Sequence, residues 1–293
     1  MSIAQFVNLL AAVTLFEMMV TLGLGVKTSD VLAVGKQMDL LARALLANYV
    51  IVPIAAVALL LLFHATPMVA AGFLVVAVCP GAPYAPPFTS LAKGNVTLSI
   101  GMMIVLSASS AILAPLMLKV LLPLAVGDTV VSIAAVKMIE TLIGAQLLPL
   151  CIGLWVRRNR PSVAEKMTKP AGRLSLALNL ALLIVIILAE LKTLAQIHLR
   201  GYVGMMCLVF ATLLAGTVVT KRTQDADGKS MILTTSVRNV GVSLVIATAS
   251  FPGTAAITSA TAYAIFQTVA IGLVALAWGR VTQHVSISSQ KAA

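Results

Sequence analysis

The stretch Cys79-Pro80-Gly81-Ala82-Pro83-Tyr84-Ala85-Pro86-Pro87 puts four prolines within eight residues, in the middle of an apolar run from about 66 to 92. Each proline removes a backbone donor and clashes with the preceding turn, so a helix entering this run must break. Downstream, Met231-Ile232-Leu233-Thr234-Thr235-Ser236-Val237-Arg238-Asn239-Val240-Gly241-Val242-Ser243 sets a guanidinium, an amide and a glycine inside a second apolar run, about 229 to 250. Backbone that leaves the helix at membrane depth is tolerated only where protein covers it or where it lines a watery cavity. A pair of interrupted spans, one in each half of a chain, points to the binding site of a secondary transporter.

The rest of the chain agrees with a membrane setting. Its 293 residues are 60% hydrophobic and 10% charged, with mean hydropathy +1.06. A soluble chain is nearer 45–50% apolar and about 25% charged. That excludes an ordinary soluble domain, a disordered chain and a nucleic-acid-binding module. Runs able to cross a hydrocarbon core occur at about 3–25, 40–62, 66–92, 95–125, 129–156, 170–190, 198–220, 229–250 and 253–279, so nine transmembrane helices are expected. Short connections carry Asp30, Pro67, Gly127, Pro161, Pro170, Asp225, Gly228 and Pro252. With no long linker, the chain reads as one domain. The first run lacks a basic leader and carries Glu17, so it is expected to remain as a span.

The net charge of +11 acts as a topology signal. Alternate connections hold 15 of the 20 basic residues, Lys229 among them, whereas the opposite ones hold Lys119, Lys192 and Arg200. That bias places the C-terminus in the cytoplasm and the N-terminus outside, in a multi-pass inner (plasma) membrane protein. Lys137 and Arg238 fall within spans. Lys137 has Glu140 three residues on, a spacing that allows a local ion pair.

Arg238 has no such neighbour. A cation near the bilayer centre costs at least about 2.5–3.5 kcal/mol, so it should face a partner or a cavity, as an anion ligand or as a cap for carbonyls freed by the break. Asn239, Thr234 and Thr235 beside it, and Tyr84, Pro83 and Ala85 at the first break, are the candidate substrate-binding residues, with Ser99 just after that break. Glu17, the one acid in the first span, is a candidate for proton coupling or for pairing with Arg238. Cys79, Cys151 and Cys207 lie in apolar runs with no metal or redox spacing, and no His cluster or nucleophile–base motif occurs. No catalysis, metal or cofactor is expected.

The segments Leu24-Gly25-Val26-Lys27-Thr28-Ser29-Asp30, Cys79-Pro80-Gly81, Leu91-Ala92-Lys93-Gly94-Asn95-Val96-Thr97-Leu98-Ser99 and Arg238-Asn239-Val240-Gly241 resemble, in order and spacing, the bile acid:sodium symporter family. The resemblance implies two inverted five-helix repeats whose discontinuous helices cross beside the substrate, here without the family's first helix. It implies a panel at about 1–26 and 129–190 that moves against a core at about 40–125 and 197–280. It also implies where the chain departs. The family's sodium-coupled members carry a Thr and a Ser-Asn pair where this chain has Pro83 and Ala85-Pro86. They carry a further hydroxyl at Met103, and a Glu and a Gln at Thr234 and Arg238. Sodium prefers several hard oxygen ligands and gains from a carboxylate. The reading is therefore an organic anion transporter that works without sodium, with Arg238 in place of the coupling cation and a proton as an optional coupling ion. Sodium symport with altered ligands, and a non-transporting sensor of the same fold, remain open alternatives.

Overall fold

The computed structural model describes residues 3–126, 134–195, 197–223 and 225–291, and its regular structure there is all helical. The helices are α1 (Ile3–Gly25), α2 (Thr28–Gly35), α3 (Met38–Leu62), α4 (Pro67–Ala77), α5 (Ala85–Leu91), α6 (Val96–Val126), α7 (Ala135–Asn159), α8 (Pro161–Ala195), α9 (Leu199–Val219), α10 (Ala226–Ser236), α11 (Val240–Ser250) and α12 (Ala255–Lys291). Two of them contain a π turn, at Ala47–Ile51 in α3 and at Ile143–Leu147 in α7.

Among the described residues, seven stretches are long and apolar enough to cross a membrane: α1, α3, α6, α7, α9, the pair α10–α11, and α12. The expected spans at 66–92 and 170–190 are not in that set. The first is divided between α4 and α5. The second is the later part of α8, which already begins at Pro161, a residue preset for the first helical position. Pro170, read as a connection, lies inside α8. The carbonyl it orphans belongs to Lys166 on an exposed stretch, where solvent replaces the lost bond. Gly127 and positions 129–133 of the fifth expected span lie outside the described residues, as does any account of the Asp30, Lys192 and Lys291 side chains.

Two further sequence readings are corrected. Lys229, assigned to a connection, sits in the first turns of α10, where it is buried and donates to Thr282 Oγ1 at 2.6 Å. Lys137 and Glu140 are both exposed on α7, and no ion pair joins them among the described residues. Both stand outside the buried interior, where an exposed ion pair contributes little, so little drives them together.

Small residues set the packing. At the α1–α7 crossing, Gly23 and Gly153 face each other so closely that a Cβ on either would strike the other helix's backbone. Gly72 of α4 meets Ala256 and Ser259 of α12 in the same way, and Gly216 of α9 meets Ile232 of α10. In lipid there is no hydrophobic drive between helices, so close backbone approach supplies the contact. Helix α1 packs chiefly on α7 and α8, while α3, α6, α9 and α12 pack around the two broken helices, α4–α5 and α10–α11. The interior of the molecule is the run Gly228–Asn239, in which every residue is buried.

Candidate functional site

The interruptions between α4 and α5 and between α10 and α11 meet inside the protein, and their backbone groups answer one another. Asn239 N donates to Cys79 O at 2.7 Å, and Asn239 Nδ2 donates to Gly81 O at 3.1 Å. Gly81 adopts φ +81 against the backbone of Met103 and Ser107, a place closed to any side chain. Asn239 also starts α11: its Oδ1 accepts from Val242 N at 3.2 Å. At Arg238, the backbone N–H donates to Gln267 Oε1 at 3.1 Å. The carbonyl accepts from Tyr84 Oη at 2.7 Å and from Gln267 Nε2 at 3.1 Å. Buried backbone donors and acceptors require partners, and here side chains supply them.

The Arg238 side chain is fully buried, at 0% exposure. Its guanidinium donates to Ala77 O at 3.2 Å, to Asn48 Oδ1 at 2.6 Å and to Thr235 O, while Nε has no partner. Ala77 O and Thr235 O are carbonyls at the C-terminal ends of the half-helices α4 and α10, so this cation lies at two negative dipole ends. Asn48 is presented by the π turn of α3 and is itself tied back to Ala44 O at 2.8 Å. No carboxylate contacts the guanidinium among the described residues.

One layer away is a buried chain of hydroxyls. Ser99 Oγ and Thr234 Oγ1 are 2.9 Å apart, and Thr89 Oγ1 lies 3.0 Å from both Ser99 Oγ and Ala85 O. These bonds hold α5, α6 and α10 together.

Beside the crossing lies a cavity of about 670 Å³. On one side are Met18, Thr21 and Leu22 of α1 and Gly172, Ser175 and Asn179 of α8. On the other are Pro83, Tyr84 and Phe88 of the first interruption and Val240, Gly241 and Leu244 of the second, with Thr261 and Thr268 of α12. Most of the wall is apolar, with a few hydroxyls and amides. The N-terminus of α11 opens onto it, which gives an anionic group a positive dipole end to face.

Of the residues singled out in the sequence, Pro83 and Tyr84 line the cavity. Arg238, Asn239, Thr234, Thr235, Ala85 and Ser99 are brought together but stand behind its wall, each buried and engaged with backbone or with one another. Glu17 is not joined to Arg238. Its carboxylate bridges α1 and α8, accepting from Thr21 Oγ1 at 2.7 Å and from Ser175 Oγ at 2.6 Å, two hydroxyls of residues on the cavity wall. Sequence reasoning missed Asn48 and Gln267. Their one signal was an amide standing alone in an apolar run, which also describes ordinary helix packing.

Interrupted helices crossing at the centre of an apolar helical protein, beside a cavity, define a membrane transporter. Comparison with known proteins gives the family: the sodium bile acid symporter model matches residues 12–197, and the chain belongs to that family. It is also similar to the uncharacterized sodium-dependent transporter YocS of Bacillus subtilis (strain 168), at 22% identity over 284 residues, which cover 95% of this chain and 84% of that protein.

Proposed function

We propose that this protein is a secondary transporter of amphipathic organic anions in which Arg238 replaces the coupling sodium ion. The observation that carries the reading is the guanidinium itself: a tethered cation enclosed by Ala77 O, Thr235 O and Asn48 Oδ1, the hard oxygens an alkali cation would draw on. Thr234 stands where the resemblance expects a carboxylate, and its hydroxyl is taken up by Ser99. The substrate occupies the cavity between α1 and α8 on one side and the crossing on the other. Its apolar body packs on Leu22, Phe88 and Leu244, and its anionic end faces the N-terminus of α11. Arg238 adds its charge from behind Tyr84.

Transport is alternating access. The panel, about 1–26 and 129–190, moves against the core, about 40–125 and 197–280, in an inner-membrane protein with an external N-terminus and a cytoplasmic C-terminus. Glu17, on the panel side of the cavity, carries the coupling proton.

Uptake of a labelled organic anion into proteoliposomes, in sodium against potassium or choline medium, tests this reading. Equal uptake is expected in all three. A steep requirement for sodium would overturn it in favour of sodium symport, the reading that the name of the Bacillus subtilis relative favours. Counterflow separates a transporter, which exchanges labelled anion, from a sensor that only binds it.

A further inference from the structure

A second cavity, of about 430 Å³, lies away from the crossing, between the end of α3 and the first turns of α4, α9 and α12. Its walls are apolar, with Leu60, Val69, Phe73, Met205, Leu208 and Ala262. Its mouth carries one fixed cation, Arg200, beside the imidazoles of His64 and His198, all three exposed, and among the described residues no acid lines it. The Arg200 guanidinium is pinned there by donating to Phe63 O. His64 holds the left-handed φ of 44 that turns the chain from α3 into α4, a conformation uncommon for a side-chain-bearing residue.

Helix ends add to that charge. Thr66 and His198, the residues capping α4 and α9, make no side-chain cap hydrogen bond. Pro67 brings no N–H to the first turn of α4, and Gly201 N in α9 is taken by His198 O, so what both helices present at the cavity is the positive end of their dipoles. Next to the mouth, α9 turns Leu199, Tyr202, Val203 and Met206 outward. This is a surface suited to hydrocarbon, so the cavity opens where a lipid-facing helix meets its polar connection.

We propose that this cavity binds one anionic phospholipid, with its phosphate at His64, His198, Arg200 and the N-termini of α4 and α9, and an acyl chain among Leu60, Val69, Met205 and Leu208. The volume falls in the range of ligand pockets, about 300–1,000 Å³, and a guanidinium gives a phosphate charge-assisted, bidentate hydrogen bonds, here on the face that the charge bias turns away from the cytoplasm. A soluble anion would leave the apolar wall unfilled. A zwitterionic lipid would bring its ammonium to a mouth that has no acid among the described residues. The bound lipid ties together the ends of four helices, α3, α4, α9 and α12, and the site is independent of what the central cavity carries.

Native mass spectrometry of the full chain in detergent, with phosphatidylglycerol and phosphatidylcholine supplied equally, reads the site directly. Preferential retention of phosphatidylglycerol is expected. Arg200→Ala should weaken it about tenfold, the scale of one charge-assisted hydrogen bond, whereas Arg200→Lys should retain most of it. Gly204 lines the cavity and a Cβ there meets nothing within 4 Å, so Gly204→Leu should fold, fill the acyl path and abolish retention. Circular dichroism and a monodisperse elution profile establish that each variant is folded. Equal retention of the two lipids by the wild type, or phosphatidylglycerol retention unchanged in folded Gly204→Leu and Arg200→Ala, would overturn the proposal.

Discussion

At the scale of single residues the molecule turns on Arg238. Truncation to alanine strands Ala77 O, Thr235 O and Asn48 Oδ1 without their donor. An unsatisfied buried acceptor costs about 1–3 kcal/mol, so Arg238→Ala should lower the midpoint of thermal unfolding markedly in detergent. That result alone would fit a purely structural arginine. The discriminating variant is the double substitution Thr234→Glu with Arg238→Gln, which removes the fixed cation and restores the acid and amide implied by the family resemblance. A ligand that binds only the folded state raises apparent stability with its concentration. The double variant should therefore melt higher in sodium chloride than in potassium chloride, while the wild type melts alike in both. An equal response of the two proteins would show that the guanidinium does not occupy a cation's place. Glu17 is separable from this, because its oxygens engage Thr21 and Ser175 rather than Arg238. If it carries the coupling proton, acidifying the outer side should stimulate uptake by the wild type, and Glu17→Gln should flatten that pH profile. A profile unchanged in the variant would remove Glu17 from the coupling scheme.

At the scale of elements, the two interruptions are one structure. The carbonyls freed between α4 and α5 are satisfied by Arg238 and Asn239 from the other break, and Arg238 O is satisfied by Tyr84 from the first. Gly81 is where this contact is tightest. A Cβ there would meet the Ser107 and Met103 backbone, and its φ of +81 disfavours any other residue. Gly81→Ala should thus destabilise the fold by more than the roughly 1–2 kcal/mol of the left-handed conformation alone, seen as a lowered unfolding midpoint, whereas Gly144→Ala, with nothing within 4 Å of its Cβ, should leave it unchanged. The breaks were legible in the sequence because proline geometry is local: four rings in eight residues end a helix whatever surrounds them. What completes the crossing was not legible. Asn48 and Gln267 arrive from helices far away in the chain, and no local pattern says that an isolated amide will turn toward a distant carbonyl. The same limit explains Lys229, which read as a loop charge because its hydroxyl partner, Thr282, lies on another helix. Pro170 failed in the opposite direction, since an exposed carbonyl lets a helix continue through a proline that a buried one would not.

At the scale of the whole molecule, the charge bias and the cavity describe two separate requirements. With Lys229 set aside, 14 of the basic residues that the sequence places on alternate connections carry the topology signal, and apart from Lys229 and Arg238 the basic side chains whose burial is described lie outside the buried core. Under the proposed alternating access the cavity needs a different property, which is that α1 and α8 be able to part from the crossing. The walls of that interface include no ion pair among the described residues, and its lining is mainly apolar side chains with a few hydroxyls and amides. Such a surface can separate and close again without stranding charge, because hydrocarbon contact is non-directional. It also predicts where transport can be blocked without unfolding the protein. Gly172 lines the cavity on α8, and a Cβ there has nothing within 4 Å. Gly172→Trp should therefore fold normally, occupy the space of the substrate and hold α8 away from the crossing. The expected result is loss of both binding and counterflow of the organic anion, with an unchanged elution profile and an unfolding midpoint close to that of the wild type. Full counterflow in the folded variant would place the substrate path elsewhere. Binding retained with counterflow lost would show instead that the indole leaves the substrate room and stops the motion, which would assign the interface to movement rather than to recognition.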